Sequence, residues 1–235
     1  MTTFLKLVKD AARESGTVPA YNSILSVENQ TGRVALFANW VRQAYRDIQN
    51  ARDDWRWLTA EFEGTALNGI SSFAATDLGI DADRFGHWII PNDGLEHISC
   101  YPVADGVSEE AFLMERSYDK FKRTFKMGAE SLKTGRPAYF AINPQDRIVL
   151  HPTPDADHVL KGQYYMAPQN LTLNSDVPEM PVRFHDAIMW AALVHMCTYD
   201  EAFEQIQIYQ GRYDALKRAM VNENIPTLTL AGPLA

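Results

Sequence analysis

Apolar residues recur at steps of three and four near both ends of the chain and at steps of two through its middle. Phe4, Leu7, Val8 and Ala11 share one face of a helix predicted over Phe4–Glu14, which Gly16 and Pro19 end. Residues 17–29 are rich in turn formers and read as a connector. From Thr31 to Asp54 the positions Val34, Phe37, Val41, Ala44, Ile48 and Ala51 again step by three and four, with Arg33, Arg42, Arg46, Asp47 and Arg52 between them. That spacing makes a narrow stripe close to a coiled-coil seam, suited to lying against other helices. Trp40 and Tyr45 widen it.

From Trp57 to about Leu171 the period shortens. Leu58–Glu63 alternates as a strand that Gly64 is expected to end, and His87–Pro91 and His97–Tyr101 are further strands. Pro137–Ile142 and Arg147–His151 read as a hairpin around Asn143-Pro144-Gln145-Asp146, and Val159–Met166 supplies another strand before Pro168. One helix is predicted here, over Ser108–Phe125. Ser108 is its N-cap, Glu109 and Glu110 sit at the positive end of the helix dipole, and Lys120, Lys122, Arg123 and Lys126 lie toward the negative end.

Past Pro178 and Pro181 the helical period returns. Phe184–Thr198 is apolar almost all round (Ile188, Met189, Trp190, Ala191, Ala192, Leu193, Val194, Met196), the mark of a helix buried on most sides. Asp200–Val221 is amphipathic, with Ile206, Tyr209, Tyr213, Leu216 and Met220 on its stripe. No helix fits Asn222–Ala235, where Pro226, Gly232 and Pro233 separate Ile225, Leu228, Leu230 and Leu234. Its alternation around Leu228–Leu230 suits a strand added to a neighbour's sheet edge. The expected fold is therefore α+β. Helices of 1–56 and 172–221 form one bundle, 57–171 is an inserted β-rich module with one helix, and 222–235 is an extended arm.

Composition narrows the function. The 235 residues fit one domain or two small ones, and 46% hydrophobic content excludes a disordered chain. A net charge of -8 makes a poor grip for nucleic acid but suits a surface that DNA slides past, as well as many soluble proteins. Cys100 and Cys197 belong to no metal-ligand spacing and read as buried small residues in a reducing compartment. The start Met1-Thr2-Thr3-Phe4-Leu5-Lys6 has no signal-peptide pattern, and no apolar run approaches the ~20 residues of a membrane span. Folding in the cytoplasm without a membrane partner is expected.

Motifs for chemistry are sparse. His87, His97, His151, His158, His185 and His195 form no HExxH and no i, i+4 helical pair, so packed or surface roles are favoured over metal ligation. Glu61 and Glu63 share a strand face, and Glu109, Glu110, Glu115 and Asp119 fall on the predicted middle helix; a glycosidase would need such carboxylates set around a cleft. There is no GxSxG, GxxxxGK[ST] or GxGxxG. Lys120, Lys122, Arg123, Lys126, Lys133 and Arg136, with Phe121, Phe125 and Tyr139, could serve nucleic acid, but intersubunit ion pairs are the favoured role. Trp40, Trp55, Trp57, Trp88 and Trp190 exceed the needs of one modest core and suit interface anchors, with Trp190 expected in the core.

The order of these pieces resembles the tailed-bacteriophage head-to-tail adaptor, or connector, family of podovirus type. Three places carry the likeness. A short helix to Gly16 precedes a long one ending in Arg52-Asp53-Asp54-Trp55-Arg56-Trp57. Arg147–His151 closes on Pro152-Thr153-Pro154-Asp155 before the Gln163-Tyr164-Tyr165 strand. Val177-Pro178-Glu179-Met180-Pro181-Val182-Arg183-Phe184-His185 then enters a tryptophan-bearing helix, followed by one with Tyr209 and Tyr213. The segment from about Phe73 to Gly135 carries none of it. The resemblance implies a virion structural protein of the neck, a dodecameric ring under the portal with tail or nozzle proteins on its far side, through which DNA passes without specific binding. It implies subunit contacts along the helices (Val34, Phe37, Val41, Ile48, Ile206, Tyr209, Tyr213, Leu216) and a C-terminal arm that holds the portal through Ile225, Leu228, Leu230 and Leu234. No cofactor and no catalysis are expected. The alternative is a tail-associated peptidoglycan hydrolase acting through its carboxylates. A receptor-binding tail module fits less well, since the helices carry the strongest patterning.

Overall fold

The computed structural model describes residues 2–18, 21–90 and 97–224. The fold is mixed α+β, with N- and C-terminal helices flanking a β module in the chain. Two compact units result: one from the segment up to Trp57 together with the segment from Pro168 on, the other from Leu58–Ala167.

The helical unit holds α1 (Phe4–Ser15), α2 (Gly32–Asn50), α4 (His185–Tyr199) and α5 (Phe203–Asn224). Thr3 caps α1 by accepting from the Lys6 amide at 3.3 Å, and Gly16, at φ 64°, ends it by donating to the Arg13 carbonyl. Helix α4 packs against α1, α2 and α5. That explains why it is apolar all round: Ala187, Ile188, Ala192, Leu193 and Cys197 are fully buried. Helix α5 runs to Asn224, so three residues expected in the arm are helical.

One polar network is buried in this unit. Gln49, 1% exposed, accepts from the Gln169 amide at 2.8 Å and donates to the Gln169 carbonyl at 3.0 Å, closing that residue's backbone as a strand partner would. The Gln169 side chain in turn accepts from the Tyr45 hydroxyl at 2.9 Å and donates to the Val177 carbonyl. Gln49→Leu keeps the volume but strands both backbone groups, and a destabilisation of about 2–4 kcal/mol is expected in urea unfolding. An unchanged midpoint would show that water replaces both bonds.

The second unit stacks three layers. Its first sheet has the order β1-β9-β4-β5, from β1 (Thr59–Ala66), β9 (His158–Met166), β4 (Ser99–Pro102) and β5 (Ala111–Phe112), with β3 (Phe85–Trp88) also antiparallel to β9. The second sheet has the order β2-β8-β7-β6, from β2 (Ser72–Phe73), β8 (Ile148–His151), β7 (Tyr139–Ile142) and β6 (Met114–Glu115). Between the sheets lie Phe62, Phe73, Trp88, Ile98, Cys100, Leu113, Phe140, Ile148, Leu150 and Leu160. The β7–β8 hairpin turns at Asn143–Asp146 as its sequence predicts, with Asn143 Oδ1 accepting from the Gln145 and Arg147 amides.

Two expectations are corrected here. The helix predicted over Ser108–Phe125 exists only as α3 (Tyr118–Phe125), and Ser108 does not cap it. Residues 111–115 instead pair in both sheets. Leu113 is buried between them, and its amide donates to the Ile98 carbonyl while the Met114 amide donates to the Ala138 carbonyl. Tertiary pairing overrides the local helix signal. Gly64 does not end β1 either, for the strand continues to Ala66. A Cβ at Gly64 would lie 2.6 Å from the Leu78 backbone, so close approach, not chain reversal, calls for glycine there.

Helix α3 covers the outer face of the second sheet, where Phe121, Ala141 and Val149 form a small core with Tyr118, Phe125 and Tyr139 against it. His151 stacks on Phe125 at 4.2 Å in this layer. Burial lowers its pKa, partly offset by Glu130 at 3.9 Å. Because the folded value lies below the ordinary 6.5, the unfolded chain binds the proton more readily. The associated stability is full above about 6.5 and declines as pH falls through the folded value. His151→Phe is expected to flatten the stability profile between neutral pH and pH ~5, read as thermal midpoints at each pH.

Candidate functional site: assembly surfaces

The stripe residues expected at a subunit interface divide by burial. On α2, Phe37, Val41 and Ile48 are buried within the helical unit, whereas Val34 is half-buried. On α5, Ile206, Tyr209, Tyr213 and Leu216 are all half-buried, while Phe203 and Ile208 are exposed. The tryptophans are spent mainly inside the chain: Trp55 is fully buried, Trp40 and Trp88 nearly so. Trp190, expected in the core, is half-buried, stacked on Tyr209 at 5.8 Å with Arg212 over its ring.

Ion pairs tie the helical unit's corners. Arg33 makes a two-pronged contact with Asp200 and lies over Trp40 at 5.1 Å. The hydrogen bond from Arg33 holds the Asp200 carboxyl below its usual range. Asp47 meets His195 at 3.1 Å.

Where α5 ends, Asn224 accepts from the Arg56 amide and donates to the Asp54 carbonyl, each at 2.9 Å. Beside this clamp is a cleft of about 250 Å³ lined by Arg56, Trp57, Pro181, Phe184, Met220, Glu223 and Asn224. Arg183 pairs with Glu223 nearby. The arm residues Ile225, Leu228, Leu230 and Leu234 lie outside the described residues. Asn224 itself carried no signal in the sequence; only the fold shows what it holds.

On the β unit, strand register lines up Glu63, Lys161 and Ser99 across the outer face of the first sheet, with Glu61 opposite Gln163 in the neighbouring row. Together with His97 and Glu110 they border a groove of about 560 Å³. Glu110 accepts from Ser99 at 2.6 Å and pairs with Lys161 at 3.6 Å, while Glu63 accepts from the Tyr101 hydroxyl at 3.3 Å. Burial, and Glu63 after it, raise the Tyr101 phenol's pKa. The sequence placed Glu61 with Glu63, but Glu110 arrives only through β4–β5 pairing. The carboxylates border a shallow face of a sheet.

On the opposite side of this unit, Lys120, Lys122, Arg123 and Lys126 are exposed on and just after α3. Lys133 pairs with Glu130 and Arg136 with Glu109. The aromatic residues of that cluster turn inward: Phe121 is buried and Phe125 stacks on Tyr139 at 4.9 Å. The six histidines are scattered between the units, and no group of three or more His, Cys, Asp or Glu able to hold a metal occurs among the described residues. Both cysteines are free and buried. No helix of the described residues is long and apolar enough to cross a membrane.

A family model described as SU10 adaptor protein matches residues 2–232. Comparison with curated proteins finds no match.

Proposed function

The chain belongs to the SU10 adaptor protein family, a family of phage head-to-tail adaptors, and from that premise we propose that it forms a ring joining the portal to the tail. It is accordingly a structural component of the virion neck. The observation that carries the reading is the span of the match, which covers both units and not one motif. In the proposed assembly about twelve copies, made in the host cytoplasm, close a ring with cyclic symmetry. The partly exposed Val34, Ile206, Tyr209, Tyr213 and Leu216 contribute to its subunit contacts. Residues 225–235 reach the portal, tail or nozzle proteins bind the far side, and DNA passes through the channel without sequence recognition. No catalytic step, cofactor or membrane contact enters this reading.

Sedimentation velocity of the chain mixed with purified portal tests it. The portal boundary is expected to move faster in the mixture. A portal boundary unchanged at every protein ratio would contradict the reading.

A further inference from the structure

The cations on α3 and the carboxylates of the first sheet lie on opposite sides of one compact unit. The layer order shows this: acidic outer face, first sheet, apolar core, second sheet, small aromatic core, α3. Among the described residues no carboxylate comes within ion-pair distance of Lys120, Lys122, Arg123 or Lys126. Four free cations within seven residues are notable in a chain of net charge -8. Across the unit, the groove sets Glu61, Glu63 and Glu110 against the single Lys161, and no cation meets Glu61 or Glu63 among the described residues. The groove therefore carries excess negative charge, and α3, whose exposed Asp119 lies among the four cations, carries excess positive charge. Opposite faces of complementary charge on one compact unit suit a head-to-tail contact, and such contacts generate rings when the rotation closes. A helix laid on a shallow groove also matches convex to concave.

We propose that the cationic face of α3 in one copy docks on the Glu61/Glu63/Glu110 groove of the next copy around the ring. This rests on the ring reading above and names one of its interfaces. A single-stranded nucleic acid fits the cationic face poorly, since Phe121 and Phe125 are packed beneath α3 and offer no stacking platform. Charges facing each other across an interface set register and steer encounter, and like charges placed there oppose it strongly.

The test uses two variants of the full chain, K120E/K122E/R123E and E61K/E63K, each mixed with portal, with bound copies counted by native mass spectrometry at low salt. Each variant alone is expected to bind with roughly tenfold or greater loss of occupancy. An equimolar mixture of the two is expected to regain wild-type loading, because acidic α3 then meets basic groove and basic α3 meets acidic groove. That rescue also requires both variants to be folded. Raising salt should lower wild-type loading in the same direction. Single-face variants that load the portal as the wild type does would overturn the proposal and leave the adaptor reading standing. The same holds if they load normally but lose retention of duplex DNA on a filter, which would make α3 a DNA contact. A wild-type chain that never loads the portal would overturn the adaptor reading, and this proposal with it.

Discussion

A chain cut after Asn224 is expected to lose binding to the portal while unfolding at the same urea concentration as the intact protein. The removed segment carries Ile225, Leu228, Leu230 and Leu234, and burying each against a partner contributes roughly 1.5–3 kcal/mol. The cost of association offsets part of that sum, but a loss of a hundredfold or more in affinity is expected to remain, about 3 kcal/mol. The position of the cut matters. Removing residues from Asn222 onward would also delete Asn224, which holds the Asp54 carbonyl and the Arg56 amide, and would confuse an arm effect with damage to the helical unit. A truncated chain that binds portal as tightly as the whole one would place the contact elsewhere.

Trp55→Ala is expected to destabilise the helical unit by about 3–5 kcal/mol. Trp55 is wholly buried, its indole N–H donates to the Ile48 carbonyl at 2.9 Å, and its ring stacks on Trp57 at 4.2 Å. Truncation removes the largest fully buried side chain and the indole donor to the Ile48 carbonyl, which then keeps the Ala51 amide at 3.3 Å. Trp55→Phe keeps much of the volume and loses the hydrogen bond, so a smaller effect of about 1–2 kcal/mol should separate the two contributions. Urea unfolding followed by far-ultraviolet circular dichroism measures both. Equal losses for Ala and Phe would assign the whole effect to the hydrogen bond and contradict the packing account.

Helices α1, α2, α4 and α5 were legible because their stripes reflect packing within one unit. The all-apolar stretch around Ile188–Met196 already announced a helix surrounded by others, and α4 is that helix. The same stripes do not separate packing from assembly. Phe37, Val41 and Ile48 have seam spacing, yet a seam inside a monomer and a seam between subunits look alike in sequence. Local signals also failed where pairing partners are distant. Residues 111–115 carry helix-compatible side chains, but hydrogen bonds to β4 and β7 draw them into the sheets. The two-residue β2 was too short to show any period. The acidic groove was half visible: Glu61 and Glu63 share a strand face by alternation, whereas Glu110 and Lys161 join them only through register. The family, by contrast, was legible from the order of its pieces, since that order records topology more durably than any single side chain.

The most direct measurement is electron microscopy of the full chain mixed with its portal. The account predicts a collar of about twelve copies on one face of the portal ring, coaxial with it and leaving the channel open. Portal rings that remain bare, or that bind isolated copies without closing a collar, would contradict it.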